Sequence, residues 1–195
     1  MVRRLPPLWC LLLPCVWLGC REQAATWQAL SVADLAQPAR AAQQARAEQA
    51  RTELAQTLLQ RLTAAMQDGG PARAVGVCRD AAPELARSIG EKLGVRIGRT
   101  SFRLRNQANA APVWASSAVA AQTTEPRFAG GPDGELGVLS PILTADPCLK
   151  CHGSAATIDP AVRTALTAAY PEDRALGFAA GDVRGYFWVE VPASR

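Results

Sequence analysis

The chain has 195 residues, of which 49% are hydrophobic and 19% charged, the profile of one globular domain and not of a disordered or fibrous chain. Its formal net charge is +4, and loss of Arg3 and Arg4 with an amino-terminal signal leaves 19 basic against 17 acidic residues, +2, too weak a balance for a nucleic-acid partner. His152 is its single histidine, which excludes a bis-histidine haem, a zinc centre with two His ligands and a di-iron bundle.

Residues 1–20 read MVRRLPPLWCLLLPCVWLGC. Arg3 and Arg4 form a positive start, and Leu8–Leu18 is an apolar run of eleven residues broken by Pro14. That is well short of the ~20 residues that span a bilayer, so an export signal over 1–19 is the reading. Trp17-Leu18-Gly19-Cys20 resembles a lipobox, with Trp17 as a departure, which makes Cys20 a lipidation candidate and a means of membrane attachment. Ordinary cleavage near this point is the alternative. Either way the mature chain lies outside the cytoplasm, in the periplasm or anchored at the membrane, where disulfides are permitted. Cys10 and Cys15 leave with the signal and Cys20 is spoken for. Three cysteines remain, Cys78, Cys148 and Cys151, an odd number that a disulfide framework alone does not absorb.

Residues 20–45 read as a spacer that turns helical towards its end, ahead of one domain over 46–195. No Gly or Pro interrupts Ala39–Asp68, where Leu54, Leu58, Leu62 and Met66 form an apolar helical stripe. Gly69-Gly70-Pro71 stops this helix and starts another, with Val75, Cys78 and Ala82 on one face. Pro83 starts a third, with Leu85, Ile89 and Leu93 inward and Gly94 at its end. Val95–Arg99 reads as a strand, Asn106–Pro112 as a polar turn and Val113–Ala121 as a short helix. Gly130–Gly134 is a hairpin loop. Glu135–Thr144 is a strand whose late Pro141 calls for a bulge or an edge. Cys148–His152 sits on a turn or short helix. Asp159 caps a helix that Pro160 opens, carrying Val162, Leu166 and Ala169. In the last strand Val183, Gly185, Phe187, Val189 and Val191 face one way, and Arg184, Tyr186, Trp188 and Glu190 the other. Helices first and short antiparallel strands later indicate the α+β class.

Cys148-Leu-Lys-Cys151-His152 has the C-x-x-C-H spacing by which haem c is attached. Two thiols three residues apart add to the two vinyl groups on one porphyrin edge, and the next residue aims its imidazole at the iron. Three other readings stand beside it. A redox dithiol lacks the strand and aromatic context of a thioredoxin-like site. A Cys148–Cys151 disulfide is strained over so short a loop. Zinc on Cys78, Cys148, Cys151 and His152 has the right ligand count, but the adjacency of Cys151 and His152 makes tetrahedral ligation awkward. For the other face of an iron, Met66, Cys78, Lys92, Tyr170, Tyr186 or an open position remain. Lys150 lies within the attachment loop and cannot reach around the ring. Cys78 reads equally as a small buried hydrophobe. Arg96, Arg99, Arg103 and Arg105 crowd one short stretch. They read as a solvated strand face or, for Arg99, Arg103 and Arg105, as holders of haem propionates.

Four blocks in order resemble a bacterial and cyanobacterial family that carries one c-type haem in a PAS-like fold. They are Ala74-Val75-Gly76-Val77-Cys78 with Ala82-Pro83-Glu84; Arg99-Thr100-Ser101-Phe102, Arg105-Asn106, Asn109 and Trp114; Cys148–His152; and Tyr170–Phe178 with Gly181–Gly185. Gln107 and Ala115 depart from the family's pattern, in loop positions. The resemblance implies a PAS-like α+β fold enclosing one covalent haem c, with His152 as the proximal iron ligand and the Cys78 thiolate as the distal one.

Thiolate favours ferric iron, so that ligation implies a low reduction potential. The functional expectation is a redox or diatomic-gas sensor for CO or NO, read by a separate partner protein. A periplasmic electron carrier is the competing class, and a non-haem Cys3His zinc protein a third. No Ser/His/Asp set, phosphate loop or defensible carboxylate pair is present, so the chain is expected not to be an enzyme.

Overall fold

A computed structural model describes residues 26–193. The expected signal over 1–19 and the lipidation candidate Cys20 lie outside the described residues. Two short elements come first, β1 (Gln28–Ala29) and α1 (Val32–Leu35). Ser31 and Asp34 close a capping box on α1: the Ser31 hydroxyl accepts the Asp34 N–H and the Asp34 carboxylate accepts the Ser31 N–H. This stretch is not a spacer. β1 pairs with residues 129–130, and Gln43, 3% exposed, donates to the carbonyls of Gly134, Val191 and Pro192. Such long-range pairing leaves no periodic trace in the sequence.

The long helix α2 (Pro38–Gly76) opens with proline at its first position. Its buried face is Gln43, Ala47, Ala50 and Leu54, with Leu58 half-buried beside it, while Leu62 and Met66 lie outside that core. The expected leucine stripe is therefore displaced towards the amino terminus. Alanines let the helix lie close to the sheet, and a stripe drawn from large residues overlooks them. Gly69 and Gly70 break the helix, Gly70 at φ +70°, and Pro71 resumes it. From there the chain stays helical through a π-helical turn (Val77–Ala81) into α3 (Ala82–Leu93), which Gly94 ends in the left-handed conformation.

The rest comprises β2 (Arg96–Thr100), α4 (Ser116–Ala120), β3 (Arg127–Gly130), β4 (Leu136–Leu143), α5 (Leu149–His152), α6 (Pro160–Ala169) and β5 (Val183–Val191). The strands form one antiparallel sheet in the order β1-β3-β4-β5-β2. The class is α+β. Pro141 lies past the end of the β3–β4 ladder, and the β4–β5 register slips between Ile142 and Leu143. That slip breaks the alternation expected in β5. Val183 packs with Tyr186 on the outer face, apart from Phe187, Val189 and Val191.

The apolar side chains gather in three clusters. The largest joins α2 and α3 to the inner sheet face through Leu54, Leu85, Ile89, Ile97, Leu136, Val138, Phe187 and Val189. The second covers the outer face with Ala115, Val119, Leu139 and Tyr186. The third joins Val75 to Ile158, Val162, Leu166 and Tyr170, with Cys151 packed against it. None of the helices among the described residues is long and apolar enough to cross a membrane.

Candidate functional site

The C-x-x-C-H motif occupies a 3-10 turn (Asp146–Cys148) running into α5. Two loops strap it in place. Gly177 N–H donates to the Gly153 carbonyl at 2.8 Å and Phe178 N–H to the His152 carbonyl at 3.0 Å. Arg105 reaches in from the loop after β2, its Nη2 donating to the Cys151 carbonyl at 2.6 Å. Cys148, Cys151 and Cys78 are free and half-buried, and Lys150 is exposed.

His152 Nδ1 lies 2.8 Å from the Ala175 carbonyl. A carbonyl only accepts, so Nδ1 carries the proton and Nε2 the lone pair. The Arg184 Nε lies 3.0 Å from Nδ1 and 3.3 Å from Nε2, and with the proton on Nδ1 only Nε2 can accept from it. Burial, then the charges of Arg184 and Arg105, hold the imidazole pKa down to about 2. His152 is thus a neutral imidazole whose lone pair lies on Nε2. The Phe178 ring stands edge-on to it, with centroids 6.2 Å apart.

Cys78 comes to this region on the π-helical turn that succeeds Val75, and Val75 belongs to the same cluster as Tyr170 and Cys151. A π turn adds a residue to a helical turn and rotates the chain beyond it, a feature frequent at functional sites. Burial pushes the Cys151 thiol up; Arg105 opposes this and negative charge on Cys78 and Cys148 adds to it. Burial, then Cys78, raises the Tyr170 hydroxyl to about 12.

Of the other distal candidates, Tyr170 stays near the motif, in the cluster against which Cys151 packs, while Lys92, Tyr186 and Met66 are engaged elsewhere or stand apart. Lys92 pairs with Glu53 at 2.8 Å on the surface. Tyr186 donates to the Thr123 carbonyl at 3.0 Å on the outer sheet face. Met66 is half-buried near the tip of the α2 hairpin, outside the cluster that holds Cys151. Among the described residues no three His, Cys, Asp or Glu side chains are gathered so as to hold one metal ion. The Cys3His zinc alternative would need such a gathering of Cys78, Cys148, Cys151 and His152.

The three arginines expected to hold propionates have different surroundings. Arg105, 8% exposed, is paired with Asp173 at 3.0 Å and spends Nη2 on the Cys151 and Ala175 carbonyls. Arg103 donates to the Leu176 carbonyl at 2.9 Å and lies 4.0 Å over the Phe178 ring. Arg99 has no side-chain hydrogen bond or ion pair among the described residues; it stands on β2 opposite Phe187, and its charge acts on His152, Tyr170 and Arg184. Sequence reasoning misses Arg184, which looks like an outward position of an alternating strand. Burial, then Arg105 and Arg99, lower its pKa to about 10. Its one signal is a charged residue beside an irregularity in the last strand. Asp173 escapes in the same way, as one acid in an exposed-looking Pro-Glu-Asp-Arg run.

Arg99, Arg105 and Arg184 thus surround the motif with Asp173 as the paired acid, an excess of positive charge suited to an anionic group. The pieces fit a haem held by thioethers: two accessible thiols one helical turn apart, a neutral imidazole with Nε2 as donor, a third thiol on a neighbouring helical segment, and free guanidinium charge. A surface depression lined by Pro160, Arg163, Thr164 and Thr167 lies on the opposite face of α6 and takes no part.

A family model described as Tll0287-like matches residues 24–192. No curated protein matches the chain. Among solved structures, the crystal structure of the cyanobacterial heme-protein Tll0287 is similar at 22% identity and a TM-score of 0.44, over 57% of this chain and 70% of that one.

Proposed function

The chain belongs to the Tll0287-like family, and on that premise we propose that it is a haem protein with one covalent haem c in a PAS-like domain, acting as a redox or diatomic-gas sensor. The observation that carries this reading is the state of His152. Inside a C-x-x-C-H motif, its Nδ1 is fixed by the Ala175 carbonyl and its Nε2 is left as the donor.

When bound, haem supplies an iron that changes oxidation state and, when ferrous, takes CO or NO. Cys148 and Cys151 hold the ring through their sulfurs. His152 Nε2 and the Cys78 sulfur, as thiolate, would be the two protein ligands of its iron. Arg184 leaves the Nε2 lone pair when a metal takes it, and with Arg99 it is free to hold a propionate; Arg103 and Arg105 are bound to protein groups already. Cys78 is the switch. As thiolate it would favour the oxidised iron, and it is the protein ligand whose loss would leave the iron free to take CO or NO. In this reading the protein binds and signals and is not an enzyme. Its amino-terminal sequence supports a location outside the cytoplasm, where a lipid on Cys20 would hold it near a membrane-bound partner that reads its state.

The test is the optical spectrum of protein made with haem-attachment machinery, oxidised and reduced, beside Cys78→Ser. The expected result is covalent haem, a low-spin six-coordinate oxidised spectrum that changes in the variant, and CO binding after reduction. An unchanged spectrum in Cys78→Ser would move the distal ligand elsewhere and favour an electron carrier. Absence of iron and haem from the wild-type protein would end the reading.

A further inference from the structure

We propose that Asp173 and Arg105 are positioning residues for the His152 imidazole, acting through the Ala175 peptide. This rests on the haem reading above, since its readout is the iron that His152 would hold.

The imidazole is oriented by one backbone carbonyl, that of Ala175. Residues 171–180 form neither helix nor strand, so no ladder of secondary-structure bonds fixes that carbonyl. An ion pair fixes it instead. Asp173 Oδ1 accepts the Ala175 N–H at 2.7 Å, while Asp173 Oδ2 accepts Arg105 Nε at 3.0 Å. Arg105 Nη2 returns to the Ala175 carbonyl at 3.2 Å and to the Cys151 carbonyl at 2.6 Å. Both ends of one residue are therefore held by a single pair of side chains. The same guanidinium also holds the residue just before His152.

The pair is shielded from water, its side chains being 8% and 9% exposed. A buried pair of this kind is strongly coupled, and removing either partner leaves the other charge uncompensated. It joins three segments that are distant in sequence: the loop after β2, the haem motif, and the loop after α6. Arg174 N–H to the Leu104 carbonyl, at 2.9 Å, ties the first and last of these together once more. Groups that fix a ligating histidine through its second nitrogen tune the metal as well as hold it. Two donors, His152 Nδ1 and Arg105 Nη2, share the Ala175 oxygen, so loss of either changes the hydrogen bond of the other.

Charge alone and positioning make different demands. If the pair acts only through its charges, Asp173→Asn raises the reduction potential and Arg105→Gln lowers it, and the ligand-field spectrum stays as in wild type. If it positions His152, both variants alter the ferric low-spin electron paramagnetic resonance signal in the same sense, towards a weaker and more heterogeneous axial field, and Arg105→Lys restores part of it.

The experiment is that set of variants with haem attached, each assayed for covalent haem by its alkaline pyridine spectrum and then for potential and ferric resonance signal. The expected result is a common spectral change with covalent haem retained. Wild-type spectra in both variants, or opposite potential shifts without spectral change, would overturn the proposal. Should the variants fail to accumulate, hydrogen exchange on wild-type protein decides. The Ala175 amide is expected to be protected, although it lies in a loop, and fast exchange there would overturn the proposal. Wild-type protein without covalent haem would instead overturn the haem reading itself.

Discussion

Tyr170 and Tyr186 are the chain's two tyrosines, and burial raises the pKa of both. Tyr170 is pushed up to about 12, by desolvation first and by Cys78 second, from an ordinary value of 10.0. A phenol whose folded pKa lies above its unfolded value favours the fold fully below the unfolded value and loses that contribution as pH rises through the folded one. The expected outcome of a spectrophotometric titration is therefore that both residues ionise near pH 10 once unfolded, while in native protein one of the two phenols stays protonated there. Full ionisation of both at pH 10 in the native state would contradict the packing of Tyr170 against Val75 and Leu166.

At the scale of elements, β2 and β5 are joined more closely than their sequences announce. A methyl group on Gly185 would stand against the Thr100 carbonyl oxygen and the Ser101 side chain, and one on Gly98 would meet the Trp188 ring at 2.5 Å. Backbone cannot yield as a side-chain tip can, so Gly185→Ala is expected to cost about 1–3 kcal/mol. The measurement is a lower denaturant midpoint at unchanged slope. Asp159 is a contrasting case. Its carboxylate accepts the Ala161 N–H at 2.7 Å and caps α6, a local device already visible as Asp-Pro in the sequence. Asp159→Ala is expected to cost about 1 kcal/mol in the same assay. α6 packs on the Val75 segment and so on the turn that carries Cys78, which makes this cap a distant support of the candidate site.

The molecule as a whole separates its main core from its motif. The largest cluster, running from Ala47 to Val191, contains no residue of Cys148–His152. The motif is held by loops and by the smaller cluster of α6. A Cys148→Ala/Cys151→Ala protein is therefore expected to lack covalent haem yet keep the far-ultraviolet circular dichroism and cooperative unfolding of a folded domain. Loss of cooperative unfolding in that variant would show that the core depends on the attached group.

The features legible in the sequence are local or combinatorial. Gly94 ending a helix, Asp159-Pro160 starting one, the Gly69-Gly70 break and the α+β class all derive from backbone freedom, capping and periodicity over a few residues. The C-x-x-C-H motif is likewise a short spacing rule, and a single histidine makes His152 its focus. Tertiary structure decided the rest. Ala47 and Ala50 form the buried face of α2 because the sheet comes close, which a stripe of large residues does not reveal. Residues 28–45 join the domain through β1 and Gln43, whose partners lie about a hundred positions or more away. The same distance hid the work of the arginines. Charge and spacing mark Arg99, Arg103 and Arg105 alike and pass over Arg184, because whether a guanidinium is free depends on groups that only folding brings within 3 Å or so.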